Sequence, residues 1–171
     1  SCYILFNSAT AQKRLSKKER KQIIEETKTT RLFIEGQKFL MLEDYDKAYF
    51  YFQKAREIAP EEPAINFKIA EILLKANQVE NALEYGMQAV EAEPDNKYYN
   101  LLMAEGFSKQ NQPLKAAEII ESLMESSGEN QNYILELASL YLSANEFDMA
   151  LDALDRAEEY YGVVEQLVTQ K

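Results

Sequence analysis

Histidine is missing from the 171-residue chain, and cysteine occurs once, at Cys2. An intrachain disulfide is therefore impossible, and most zinc sites and every His-dependent triad or general-base scheme lose the side chains they need. Glycine and proline are scarce, at 5 and 4 residues. The sequence holds no glycine-rich phosphate loop, no metal-ligand cluster and no nucleophile with a base at readable spacing. Carboxylate pairs such as Glu61-Glu62 and Glu158-Glu159 fall on turns and helix ends, where solvation accounts for them. The reading is a non-enzyme without catalytic residues, metal or cofactor. Extended β-branched runs are also lacking, while Ala, Leu, Glu and Lys dominate, and this predicts an all-α protein.

Positive charge is in short supply and unevenly placed. The net charge is −10, yet between Gln12 and Arg31 eight basic residues (Lys13, Arg14, Lys17, Lys18, Arg20, Lys21, Lys28, Arg31) face three acidic ones, leaving −15 for the remainder. An acidic body repels nucleic acid, which is bound largely through Lys and Arg contacts to phosphate, so no nucleic-acid partner is expected. The basic arm over residues 12–28 suits either an anionic surface or a solvated helix face.

Long apolar runs are absent as well. Cys2 to Phe6 (CYILF) is far shorter than the roughly 20 residues of a membrane span, so no transmembrane segment is expected in this chain. Ala9-Thr10-Ala11 before Gln12 places small residues three and one positions ahead of a potential cut, as signal peptidase requires. Residues 1–11 read as the tail of a secretory signal peptide, which implies an exported, periplasmic or envelope-associated bacterial protein. An apolar N-terminus docked on the first repeat is the other reading, and lipidation of Cys2 a third.

Ser16 with Glu19 has the form of a capping box and predicts a helix opening near Lys17. The Thr27 to Thr30 cluster predicts a kink or loose join. From Thr29 onward a 34-residue period holds. Small residues recur at Gly36, Ala70, Ala104 and Ala138, large apolar ones three further on at Phe39, Leu73, Phe107 and Tyr141, and alanine at Ala48, Ala82, Ala116 and Ala150. Ala55, Ala89, Leu123 and Ala157 close the pattern. Small residues facing each other let two antiparallel helices approach, and the bulky residue fills the space beside them. Such a hairpin buries its remaining apolar faces only by stacking on its neighbours. Pro60 with Pro63, Pro94 with Asn96, Gly128 and Gly162 punctuate the repeats; Glu43-Asp44, Asn77-Gln78, Asn111-Gln112 and Asn145-Glu146 separate the two helices within each. Pro113 opens a second helix, a position proline tolerates.

These residues, and above all DYDKAYFYFQKAREIAP (44–60), resemble the tetratricopeptide repeat family over residues 29–162. The resemblance implies a right-handed α-solenoid of four stacked helix-turn-helix hairpins (29–62, 63–96, 97–130, 131–162), followed by a fifth repeat or capping helix from residue 163. Departures carry expectations of their own. Leu32, Asn66, Asn100 and Ile134 replace the family's fourth-position aromatic. Gly86, mid-helix, predicts a softer second repeat, at about 1 kcal/mol of propensity relative to Ala. Leu123, in place of a small residue, predicts a wider join between repeats three and four. The segments DNKYYNLLMAE and EEYYGVVEQL are also similar to long exported repeat proteins of Gram-negative envelopes.

In that family the first helix of each repeat lines a concave face that takes ligands. Carried over by position, the groove would contain Phe33 and Gln37, Phe67 and Glu71, Tyr98, Leu101 and Glu105, and Leu135 and Ser139. The fifth-position row Phe33, Phe67, Leu101 and Leu135 is apolar throughout, which suits an extended apolar peptide or an amphipathic helix, unless neighbouring helices or the arm bury it. The clamp that holds chaperone C-terminal tails has no counterpart: its positions carry Phe33, Gln37, Lys68, Tyr98 and Leu102. The function expected is a non-catalytic scaffold binding a protein or peptide in the bacterial envelope. A rigid spacer or assembly platform for a downstream domain, and self-association through the C-terminal face, are the alternatives.

Overall fold

The computed structural model describes residues 15–127 and 130–169. Eight helices follow one another: α1 (Lys17–Met41), α2 (Tyr45–Arg56), α3 (Pro63–Lys75), α4 (Val79–Ala92), α5 (Lys97–Lys109), α6 (Pro113–Ser127), α7 (Asn130–Ser143) and α8 (Phe147–Thr169). No strand occurs among the described residues. Each odd-numbered helix pairs with the even-numbered one after it, and consecutive hairpins join through α2–α3, α4–α5 and α6–α7. The result is a right-handed α-solenoid with one hairpin per 34-residue repeat. Gly128 lies outside the described residues, as do the apolar run and cleavage-like junction of residues 1–11.

The repeat pattern maps onto close approach. Ala48, Ala82, Ala116 and Ala150 are fully buried, and Ala70, Ala104 and Ala138 nearly so. Gly36, the corresponding residue of repeat one, lies against the Phe52 ring; a Cβ there would fall 2.7 Å from Phe52 Cε1. Buried residues form two core clusters, one centred on Phe52, Ile65, Ile69 and Leu73, the other on Ile120, Leu137 and Tyr141.

The turns within the repeats are built alike. Glu43, Asn77, Asn111 and Asn145, spaced at the repeat period, have φ of 57°, 58°, 58° and 62°. The residue after each donates its backbone N–H to a carbonyl five residues back: Asp44 to Phe39 (2.9 Å), Gln78 to Leu73 (2.8 Å), Gln112 to Phe107 (2.9 Å) and Glu146 to Tyr141 (2.9 Å). This left-handed cap satisfies carbonyls that the helix end would leave unpaired, and asparagine tolerates it better than other residues with a side chain. Glu43 is the exception in residue type. Glu43→Asn should therefore stabilise the first hairpin by about 0.5–1 kcal/mol. Thermal melts check this; an unchanged or lower midpoint contradicts it.

Three expectations are corrected. The capping box at Ser16 is present, with Glu19 N–H donating to Ser16 Oγ at 3.1 Å and Ser16 N–H to Glu19 Oε2 at 2.6 Å. The loose join expected at Thr27–Thr30 is not: α1 runs through it, with Thr27 and Thr30 donating their hydroxyls to the Ile23 and Glu26 carbonyls at 2.7 and 2.8 Å. Helical threonines satisfied in this way need not break the helix. At the other end α8 continues through Gly162 to Thr169, so that glycine ends no helix. A single interior glycine costs only about 1 kcal/mol, less than continued helix can offset. Leu123 is buried in the second core, and α6 and α7 pack at least as extensively as α4 and α5, so the join is not widened.

Gly86 belongs to the packing between repeats rather than to a soft helix alone. A Cβ there would fall 2.7 Å from Met103 Sδ and 3.0 Å from Leu102 Cδ2 of α5. Across the last two repeats, Tyr141 donates its hydroxyl to Glu121 Oε1 at 2.6 Å. Burial and then the Glu121 carboxylate raise the Tyr141 pKa above its usual 10.0. The folded state thus holds this proton more tightly than the unfolded one, so its contribution is complete below about pH 10 and is lost as pH rises beyond. Tyr141→Phe should flatten the alkaline fall in stability, leaving the weaker slope from Tyr99, whose pKa burial also raises. Urea titrations across alkaline pH read both slopes.

Candidate functional site

The odd helices α1, α3, α5 and α7 place the fifth-position row in register, one residue per repeat. Its members differ in how far they are covered. Phe33 is half-buried, edge-on to Phe52 with ring centroids 5.4 Å apart. Phe67 is half-buried against Tyr99, at 4.9 Å. Leu101 is half-buried on the second core, and Leu135 is 53% exposed. The row is therefore neither sealed by its neighbours nor open throughout, and its exposure is greatest in repeat four.

The polar members of the predicted groove are less united. Glu71 is held by Lys68, whose Nζ lies 2.8 Å from Glu71 Oε2 and 5.0 Å from the Phe67 ring centre. Glu105 pairs with Lys109 at 3.6 Å on the surface. Gln37 is half-buried, Tyr98 is 63% exposed beneath the Lys97 ammonium, and Ser139 is exposed.

Because α1 is continuous, the arm does not fold across the row. Between Gln22 and Phe33 it stands beside the α2–α3 connection and lines one side of a solvent-open cavity of about 450 Å³, which shares Phe33 with the row. Ile58, Ala59 and Ile65 give it an apolar lining, and Glu25, Glu26 and Glu62 add carboxylates. Gln22 Nε2 donates to Glu26 Oε1 at 2.8 Å, and Lys21 lies 3.6 Å from Glu25 on the surface. Thr29 also lines the cavity, and its hydroxyl is buried and has no hydrogen-bond partner among the described residues. This cavity is the part of the site that sequence reasoning missed. The arm's basic count hid the acidic and threonine positions that α-helical spacing gathers on one side of it.

Among the described residues no group of three or more His, Cys, Asp or Glu could hold a metal ion. No described helix is long and apolar enough to cross a membrane.

Paired helices repeating every 34 residues, with an aligned row on the first helix of each pair, define a helical-hairpin repeat protein. Residues 39–106 match the family described as tetratricopeptide repeat. No curated protein matches the sequence. Among solved structures, MamA (41-end) from Desulfovibrio magneticus RS-1 is similar at a TM-score of 0.71 and 21% identity, over 83% of this chain and 80% of that one. YrrB, described as a tetratricopeptide repeat protein with an unusual peptide-binding site, is similar at 0.68 and 20% identity, over 77% of this chain and 68% of its own. The first such domain of Spaghetti (RPAP3), bound to the HSP90 peptide SRMEEVD, is similar at 0.58 and 17% identity, over 75% and 94%.

Proposed function

We propose that this chain is a non-catalytic scaffold that holds an extended segment of a partner protein along the row of odd-numbered helices. The observation that carries the reading is that Phe33, the first member of the row, also lines the cavity beside α1. An apolar lining with a carboxylate rim suits a segment that presents a large apolar side chain next to Lys or Arg. Proteins of similar fold, one bound to an HSP90 peptide and one described as having a peptide-binding site, support the mode, but the chaperone-tail clamp is not its basis, since Phe33, Gln37, Lys68, Tyr98 and Leu102 stand at those positions.

Selection of displayed peptides on the intact chain tests this. Basic, apolar sequences should be enriched, and Glu26→Lys with Glu62→Lys should weaken them roughly tenfold or more. Both carboxylate side chains are on exposed residues, so the fold should be retained. Enrichment of acidic sequences, or unchanged affinity in the double variant, would overturn the reading. A quieter consequence concerns Thr29→Val, which removes a buried unpaired hydroxyl without changing side-chain shape. It should raise stability by about 1 kcal/mol, and a loss of stability in the melt would mean that the hydroxyl has a partner.

The proposed setting is the bacterial envelope, supported by the apolar Cys2–Phe6 run and the Ala9-Thr10-Ala11 junction. N-terminal sequencing of the protein matured in cells decides it. A start at Gln12 agrees, whereas an intact start with cytoplasmic retention does not.

A further inference from the structure

We infer that the outer face of α8 receives α1 of a second copy of this chain, joined head to tail. The internal junctions show what this face is built for. Leu83 and Gly86 of α4 lie against α5: a Cβ on Gly106 would fall 2.6 Å from Leu83 Cδ2, and one on Gly86 would fall 2.7 Å from Met103 Sδ and 3.0 Å from Leu102 Cδ2. One repeat on, Ala117 and Ile120 of α6 are buried. One repeat further, their counterparts Leu151 and Leu154 of α8 are 58% and 39% exposed. Phe147, four residues before Leu151, extends the same exposed stripe. No described residue covers it.

The matching helix stands at the other end of the stack. Ile34 of α1 is the counterpart of Leu102, yet it is 58% exposed where Leu102 is buried. Ile23 and Met41, both exposed, lie on the same face at helical spacing. Seated in the register of the internal junctions, Ile34 of the second copy would meet Leu154.

Charge selects the orientation. From Lys17 to Arg31, six basic residues face three acidic ones; from Phe147 to Tyr161, five acidic residues face Arg156 alone. Arg20, Arg31 and Lys38 flank the α1 stripe, and Asp148, Asp155 and Glu159 flank that of α8. The local pairs that use neighbouring charges, Lys38 with Glu35 at 3.4 Å and Arg156 with Asp152 at 3.8 Å, are solvent-exposed and cheap to rearrange. Two α1 helices, or two α8 helices, would instead place like charges together. The contact is therefore heterologous, and it propagates to a ring or a filament according to its rotation.

Sedimentation velocity on the full chain, over a concentration series at low and high salt, tests the inference. Wild-type protein should form larger species as concentration rises, less so in high salt. Arg31→Glu with Lys38→Glu, and separately Asp148→Lys with Asp155→Lys, should each weaken association roughly tenfold or more, while an equimolar mixture of the two should recover it. Leu151→Glu with Leu154→Glu should abolish it, with helicity retained by circular dichroism. A wild-type monomer at every concentration, a mixture that fails to recover, or association that survives the two glutamates would overturn the inference. Peptide binding at the cavity should be the same in every variant that stays folded.

Discussion

Phe52→Ala should lower stability by about 3–5 kcal/mol, with the loss concentrated in the first hairpin. The ring is completely buried and packs edge-on against Phe33. It also fills the space that Gly36 leaves open, where an added Cβ would lie 2.7–2.9 Å from three ring atoms. Truncation would empty that space, and the glycine opposite has no side chain with which to refill it. In a stack stabilised by nearest-neighbour contacts the damage stays local. Hydrogen exchange should therefore accelerate in α1 and α2 first, ahead of α5 to α8. The pairing of ring and glycine gives a stricter test. Gly36→Ala should destabilise the wild type, where the rigid ring cannot give way, yet stabilise the Phe52→Ala background by about 1 kcal/mol through helix propensity alone. The same sign in both backgrounds would show that the ring does not set the glycine's role.

Asn66→Ala should cost about 2–3 kcal/mol, the second largest effect expected. The side chain is 1% exposed and bridges three parts of the stack. Arg56 Nε donates to its Oδ1 at 2.8 Å, and its Nδ2 donates to the Pro60 carbonyl at 3.0 Å. Arg56 in turn lies 4.9 Å over the Tyr85 ring and reaches Gln88 Oε1 at 3.1 Å, so the first repeat's second helix, the proline turn and the second repeat share one network. Alanine would leave the Pro60 carbonyl and the Arg56 Nε–H without their protein partners. Asn100 is the natural comparison. It donates to the Pro94 carbonyl at 2.7 Å and the Asn96 carbonyl at 3.1 Å, but it is only half-buried. Asn100→Ala should cost about 1 kcal/mol. Equal costs in urea unfolding would mean that the arginine link contributes nothing.

These two residues also mark how far the sequence could be read. Alanines at Ala48, Ala82, Ala116 and Ala150 reveal the hairpins because close helix packing leaves few residue types to choose from. Asparagines at the turns are legible for the same reason, since positive φ restricts the side chain. Asn66 and Asn100, by contrast, stand out only as departures from an aromatic position. Their partners lie six residues back in the chain and, for Asn66, also ten back on α2, and no local periodicity encodes such a clasp. Thr27 to Thr30 and Gly162 mislead because intrinsic propensity is a weak preference that back-bonding and continued helix override. At the candidate site the row of Phe33, Phe67, Leu101 and Leu135 follows from the period. The cavity does not, because it depends on where the overhanging turns of α1 stand relative to Ile58 and Ala59.

The central functional claim is that a partner segment lies along this row and enters that cavity. The most direct test is an NMR titration of the chain with a basic, apolar peptide selected on it, following backbone amides residue by residue. Shifts should centre on Thr29, Phe33, Ala59, Ile65, Phe67 and Leu101, with the even-numbered helices' outer faces unmoved. Shifts confined to those outer faces, or a saturating peptide that leaves Phe33 and Phe67 unperturbed, would contradict it.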